Sequence, residues 1–415
     1  MPTSRDLIKE LISCTNLDLD TDIIVHNEKF YDRVFRDESL GLGESYLLGW
    51  WDAKGKTLDE IFYDVSKADL KNKLCEMSLV SKLTLGLNWL YNYFYPVKSI
   101  EDSKIVALRH YDLDRKLYES MLGNLMVYSC GYFMNENDTL ERAQYNKMEL
   151  IKEKLNVRPG MRILDIGCGW GELAAHLGGN NVYVDAITIS REQYDYAKEK
   201  FEKENIKFHL QDYREFKPKY KYDVIVSVGM FEHVNSNNYE EFMKITNGFL
   251  KDQGLFLLHT IGSTKSVYVP DRWINKYIFP NSQLPSLAQI TQSAEQLFVV
   301  EDVHNFGANY DKTLMCWHDN FVKNLDELNK KLTKPLNTEF YRMWKYYLLS
   351  CAGAFRSRKL QLYQVVLAKN PLVAYNRPVE TKLSFSNNFS NQLENTSTHS
   401  SVSVFSELND NFLIV

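Results

Sequence analysis

Apolar and polar residues follow two different rhythms along this chain. Between Met161 and about Lys369, short apolar runs (RILDI, VYVDAITI, YDVIVSV, GLFLLHTI) recur as strand-like segments, and the stretches between them, such as REQYDYAKEKFEKE, carry helical spacing. Strands alternating with helices predict an α/β fold built on a parallel, doubly wound sheet. The first hundred residues instead alternate short apolar runs with charged stretches, and glycines cluster near the paired Trp50 and Trp51. This pattern predicts a small accessory domain over residues 1–100. Within it, SKLTLGLNWLYNYFY (Ser81 to Tyr95) reads as a helix interrupted by Pro96, which places a boundary near Pro96 to Lys104 and a main domain over 101–370. After Pro371 the chain turns to Ser, Asn and Thr (SFSNNFSNQLENTSTHSSVSV), too little apolar surface to offset ordering entropy, so residues 371–415 are expected to be a disordered polar tail. No internal repeat is visible.

Composition narrows the function classes. With 415 residues, 44% of them hydrophobic, the chain can bury real cores and is neither disordered nor fibrous. Its 49 Lys+Arg against 54 Asp+Glu leave a net charge of −5, which argues against a protein built mainly to hold nucleic acid. No apolar run reaches the roughly 18–20 residues that span a bilayer, and the start MPTSRDLIKELISC lacks the basic-then-apolar order of a signal peptide, so a cytoplasmic location is expected. The six cysteines (Cys14, Cys75, Cys130, Cys168, Cys316, Cys351) include no C-x-x-C pair; they read as reduced thiols, most of them in cores, and no metal set is expected.

The richest chemical signal is Arg162-Ile163-Leu164-Asp165-Ile166-Gly167-Cys168-Gly169-Trp170-Gly171, an apolar strand entering glycines at every second position before the helical ELAAHL. Glycine lets the backbone bend tightly and lets a ligand approach main-chain N–H groups. Glu172 stands where a dinucleotide fingerprint wants its third glycine, which disfavours a pyrophosphate. Asp165 ahead of the turn favours S-adenosyl-L-methionine, whose carboxylate and amine need hydrogen bonds rather than a phosphate cradle. A ribose-binding carboxylate is expected about 20 residues on. Thr188 occupies that point, and Asp185, at an odd offset in the strand, faces the other way; Thr188 and Gln193 are the better candidates. Gln211, Asp212 and Tyr213 follow the strand-like KFHL and could meet an adenine.

Taken together, LDIGCGWGEL, AITISREQ, LQDYREF, VSVGMFEHV, LLHTIGS, WINKYIFPN, HNFGANYDKTLMCW and CAGAFRSRKLQLYQVV strongly resemble the cyclopropane-fatty-acyl-phospholipid synthase family. HYDLDRKLYESML and MVYSCGYF match upstream, and DIIVHNEKFYDRVF with GLGESYLLGWW resembles the family's extra N-terminal domain. The resemblance implies a doubly wound, Rossmann-like methyltransferase domain with S-adenosylmethionine as methyl donor. The acceptor it implies is the cis double bond of an acyl chain in a membrane phospholipid, approached by a homodimer peripherally associated with the inner face of the cell membrane.

An alkene offers no proton for a base to remove first, so the early work is positioning. Attack on the sulfonium methyl leaves a carbocation on the chain, which then needs a proton acceptor, stabilisation of positive charge and exclusion of water. Glu232 and His259 follow strands and should project at the carboxyl edge of the sheet, and the Tyr310 ring could face the cation. By resemblance, Cys130, Glu232, His259, Tyr310 and the backbone of Ile261 hold a bicarbonate ion that accepts the proton, while Tyr128 and Ser129 reach the cofactor's carboxylate. Cys351 also matches a family cysteine; direct chemistry and packing both remain open for it. Cys168 reads as a packing residue beside the cofactor. Arg272–Phe279 interleaves basic and aromatic side chains, which suits either a lipid headgroup boundary or a helix packed on the core, and Trp50 and Trp51 pose the same choice. A methyl-branched or methylene-bearing product, or a catalytically inactive lipid- or cofactor-binding protein, are the alternative functions.

Overall fold

The computed structural model describes residues 2–68, 70, 73, 76–77, 115–179, 181–266, 271–370, 375 and 377. The expected helix at Ser81–Tyr95, the boundary near Pro96, Cys75, the start of HYDLDRKLYESML and nearly all of the polar tail lie outside them. In chain order the elements are α1 (Ser4–Ile12), β1 (Ile23–Val25), α2 (Lys29–Leu47), β2 (Trp51–Ala53), α3 (Leu58–Lys67), α4 (Arg115–Leu122), α5 (Leu140–Lys154), β3 (Arg162–Ile166), α6 (Glu172–Leu177) and β4 (Tyr183–Thr188). There follow α7 (Arg191–Phe201), β5 (Ile206–Leu210), β6 (Tyr222–Val228), α8 (Tyr239–Phe249), β7 (Leu250–Ser263), α9 (Arg272–Tyr277), α10 (Leu287–Ala294), β8 (Val299–Asn305), α11 (Ala308–Lys331), α12 (Thr338–Arg356) and β9 (Leu360–Ala368).

The main sheet has seven strands in the order β5-β4-β3-β6-β7-β9-β8. From β5 to β7 the pairings are parallel, as the alternation of strands and helices predicts, but β9 runs antiparallel to both β7 and β8. The sheet is therefore mixed. Successive side chains leave a strand on opposite faces, so each central strand feeds two cores. Ile163, Val224, Val226 and Leu257 pack under α5 and α6 with Met148, Ile151 and Ala174. Leu164, Ile166, Ile225, Phe256 and Leu258 pack under α8 and α10 with Phe242, Met243 and Ile290.

The N-terminal elements include a two-stranded antiparallel sheet, β1 with β2. They pack on α12, and the approach to α3 is close at Gly353: a Cβ there would stand 2.6 Å from the Tyr63 amide nitrogen. Arg356 ties three helices together, donating from Nη1 to Asp59 at 2.6 Å and from Nε to Asp311 at 2.9 Å. Trp50 and Trp51 are buried, and the Trp51 indole donates to the Leu42 carbonyl at 3.1 Å. Of the two readings open for this pair, filling the core is the one observed.

The same holds for α9. Trp273 is 1% exposed, with its ring 4.4 Å from that of Tyr346 and its indole against Gly43. Lys276 and Tyr277 both donate to Glu44 on α2, which also pairs with Arg33. Asp271 caps the helix by accepting from the amides of Trp273 and Ile274. Trp273, Lys276 and Tyr277 are thus spent on packing and on a buried carboxylate.

Candidate active site

The carboxyl edge of β3, β4, β6 and β7 opens onto a cavity of about 1760 Å³, at the switch point where open α/β sheets bind ligands. The glycine turn forms one wall. Gly167, Gly169 and Gly171 all have positive φ (81°, 54° and 90°), a region that other residues rarely enter. A Cβ at Gly167 would lie 2.7 Å from Cβ of Met230, and one at Gly171 2.7 Å from Cβ of Ala197, so the turn sits tightly on its neighbours. Where a Cβ would stand at Gly169, nothing lies within 4 Å. Asp165 closes β3 at 1% exposure; burial pushes its carboxyl up to about 7 against the pull of Lys147, and its Oδ2 makes no hydrogen bond. Glu172, at the missing third glycine, also lines the cavity, and burial pushes it up to about 7. An open glycine cradle beside the Asp165 carboxyl, whose Oδ2 is left without a hydrogen bond, fits a ligand carrying an amine and a sulfonium better than one carrying phosphates.

The remaining candidates for that ligand line the same cavity. The Thr188 hydroxyl donates to Oε1 of Gln193 at 3.2 Å, whereas Asp185 faces away and bonds His209 at 2.8 Å and Tyr222 at 2.9 Å. Gln211, Asp212 and Tyr213 follow β5; the Asp212 carboxylate is held below its usual range by Arg214, which donates to it through Nε at 2.9 Å and Nη2 at 2.7 Å. Tyr128 and Ser129 line the cavity too, with the Tyr128 hydroxyl 2.9 Å from that of Tyr347 on α12.

Glu232 sits in a short 3₁₀ turn, Phe231–His233, just after β6. Its Oε1 accepts the amide of Ile261 at 2.7 Å, while its buried Oε2 has no hydrogen-bond partner among the described residues. Burial pushes its carboxyl up to about 7, with the Ile261 amide pulling the other way. Tyr310, near the start of α11, stacks on Phe355 at 4.5 Å between ring centroids. Glu232, Ile261 and Tyr310 line the cavity; Cys130 and His259 stand behind its wall. The Cys130 thiol donates to the Gly131 carbonyl at 3.1 Å, and burial drives its pKa far up. His259 Nδ1 lies 3.2 Å from the Gln364 amide on β9, and burial together with Lys147 and Lys154 keeps its imidazole neutral. Cys351 lines the cavity from α12, and burial pushes its thiol up to about 12.

One cavity residue escapes the motif reading. Lys147 on α5 is 1% exposed, lines the cavity and donates to the Ser129 hydroxyl at 2.6 Å. The signal in the sequence is a lysine on the apolar stripe Leu140, Ala143, Lys147, Ile151.

The model of the mycolic acid cyclopropane synthetase family matches residues 98–365. The chain belongs to the cyclopropane synthase family. It is 46% identical over 349 residues to the cyclopropane-fatty-acyl-phospholipid synthase of Escherichia coli (strain K12), a match covering 84% of this chain and 88% of that one. Among solved structures it is similar to the cyclopropane synthase MmaA2 from Mycobacterium tuberculosis, at 29% identity and a TM-score of 0.57, over 63% of this chain and 96% of that chain. The mycolic acid cyclopropane synthase CmaA1, solved with SAH and CTAB, gives 28% identity and a TM-score of 0.56, over 66% of this chain and 100% of that chain. As a member of this family the chain is an S-adenosylmethionine-dependent methyltransferase. No described helix is long and apolar enough to cross a membrane, and no described cluster of His, Cys, Asp and Glu could hold a metal ion.

Proposed function

We propose that this enzyme transfers a methylene group from S-adenosylmethionine to the cis double bond of unsaturated acyl chains in membrane phospholipids. The products are a cyclopropane-bearing chain, S-adenosylhomocysteine and a proton. The observation that carries this reading is that Glu232 and Tyr310 share one cavity with the glycine turn. That cavity continues between apolar walls of the N-terminal elements (Leu11, Phe35, Leu42) and of α9 and α12 (Trp273, Tyr346). Such walls suit an acyl chain and exclude water, which would otherwise trap the cation as an alcohol.

The methyl donor supplies an electrophilic methyl group when bound, held by Tyr128, Ser129, Asp165, the three glycines, Thr188, Gln193 and the Gln211–Tyr213 segment. The Tyr310 ring faces the place where positive charge develops, an attraction worth about 2 kcal/mol when desolvated. Around Glu232 the other groups of the cluster carry no charge: burial keeps the thiol of Cys130 and the phenol of Tyr310 protonated and the imidazole of His259 neutral. Of these three, Tyr310 lines the cavity with Glu232, and Cys130 and His259 form the layer behind; such neutral surroundings would suit a single small anion, and a Glu232 carboxyl raised to about 7 can stay protonated beside it rather than repel it. Bicarbonate at that position would supply the acceptor for the proton lost as the ring closes. Cys351, held as a neutral thiol, belongs to the wall.

The test is a mass spectrum of lipids from cells expressing the chain. A gain of CH₂ per unsaturated acyl chain that survives hydrogenation is expected. A methyl-branched or methylene product would replace this reading by a related lipid methylation, and no change together with no S-adenosylhomocysteine release on unsaturated vesicles would leave only a binding protein. Light scattering should show a homodimer, and cosedimentation with phospholipid vesicles should show peripheral attachment.

A further inference from the structure

A buried amide interrupts the apolar stripe of β9. Leu362, Gln364, Val366 and Ala368 leave that strand on one face, and all four are closed to solvent. A primary amide offers two N–H donors and an oxygen that can accept twice, yet Gln364 uses little of this capacity. Its Nε2 stands 3.2 Å from Nδ1 of His259, and its buried Oε1 makes no hydrogen bond among the described residues. A polar group so poorly satisfied in a core opposes folding, and a leucine or valine, as at Leu362 and Val366, would fill the place without that penalty. The register of the sheet sets the contact: Gln364 is the Cα partner of His259 on β7 on one side and of His304 on β8 on the other.

An amide N–H can only donate, so Nδ1 of His259 must accept. Burial, together with Lys147, Lys154 and His304, keeps this imidazole neutral. A neutral ring carries one proton, and with Nδ1 accepting, that proton sits on Nε2. The geometry points to Gln364 as a positioning residue that commits His259 to the Nε2–H tautomer, so that His259 serves the anion beside Glu232 as a hydrogen-bond donor and not as the proton acceptor. This rests on the small-anion reading of the Glu232 cluster. His259 stands two residues before Ile261, whose amide donates to Glu232 at 2.7 Å, and Phe306 lies against the imidazole with ring centroids 5.6 Å apart. With the Nδ1 lone pair taken and Nε2 already protonated, the ring has no free site for another proton. As the cyclopropane closes, a methyl C–H bond breaks, its electron pair forms the second new C–C bond, and the proton passes to bicarbonate, which becomes carbonic acid. A histidine that only donates holds the anion without competing for that proton.

Nitrogen NMR of the full chain carrying nitrogen-labelled histidine reads the tautomer, the His259 signals being assigned by their loss in His259→Gln. The wild type should show a protonated Nε2 and a bare Nδ1 at neutral pH. Gln364→Leu should mix the two tautomers and raise the bicarbonate concentration needed for half-maximal turnover by about 3- to 10-fold, the worth of one hydrogen bond. Its affinity for S-adenosylhomocysteine should stay within about 3-fold of wild type. Gln364→Met gives the same comparison if the Leu variant does not fold. A protonated Nδ1 in the wild type would overturn the assignment, since Gln364 would then be the acceptor and Nε2 would be open as a base. A Leu variant that loses turnover with the tautomer intact, or that keeps both, would overturn it in favour of a residue that only packs. Wild-type turnover indifferent to bicarbonate depletion would overturn the donor role together with the small-anion reading, whereas a wrong tautomer would overturn this assignment alone.

Discussion

At Glu232 a single carboxyl group couples the proposed chemistry to stability. Burial raises its folded value to about 7 from an ordinary 4.5, so between those values the folded state holds a proton that the unfolded state has released. Its contribution to stability is present below about pH 4.5 and is lost as pH rises to about 7, on the order of a few kcal/mol. Glu232→Gln removes this titration. Melting curves should show the variant gaining on the wild type from about pH 4.5 to 7 and levelling above; a constant difference across that window would contradict the buried, proton-holding carboxyl. The same variant should lose at least about 100-fold in turnover while binding S-adenosylhomocysteine within about 3-fold of wild type. For Cys351 the expectation is the reverse: with its thiol pushed up to about 12, Cys351→Ala should keep turnover within about 10-fold, since a group that is never a thiolate is no nucleophile. These residues were legible because motifs flank them: GMFEHV delivers Glu232, HTIG delivers Ile261 and NYD delivers Tyr310. That Cys130 and His259 stand behind the wall was not legible, because depth depends on α11 and β9, far away in sequence. Lys147 went unread because a lysine in a helix ordinarily belongs to solvent.

Elements show where local pattern stops being informative. In Arg272–Phe279 the interleaved basic and aromatic residues are compatible with a bilayer surface, and only the tertiary neighbours Gly43, Glu44 and Tyr346 decide that Trp273 points inward. Trp273→Ala should accordingly cost about 3–5 kcal/mol of stability in urea unfolding, and a small loss would return this residue to the lipid-facing reading. Gly353→Ala would drive a methyl group into the backbone of α3, so a loss of about 1–3 kcal/mol is expected as the helices part. The strands themselves were readable from their apolar runs. The antiparallel direction of β9 was not, because an apolar run fully buried on both faces looks the same in either direction.

For the whole molecule, the net charge of −5 is a poor guide to lipid contact, and so is the basic character of α9, since Lys276 is engaged by Glu44. Replacing Lys276 by Gln should leave cosedimentation with anionic phospholipid vesicles within about 2-fold; a marked loss would restore α9 as a membrane-facing element. The arrangement of the sheet carries a further consequence, for synthesis rather than catalysis. Because β9 lies between β7 and β8, neither of those strands gains its partner on that side until residues 360–368 have left the ribosome. A chain cut short before Leu360 therefore leaves unpaired the apolar edge of β7 that β9 covers from Leu255 to Ser263, the kind of edge that recruits other chains. Premature termination in this stretch is expected to yield insoluble protein, which makes the late-arriving strand the step at which a growing chain first becomes safe from its neighbours.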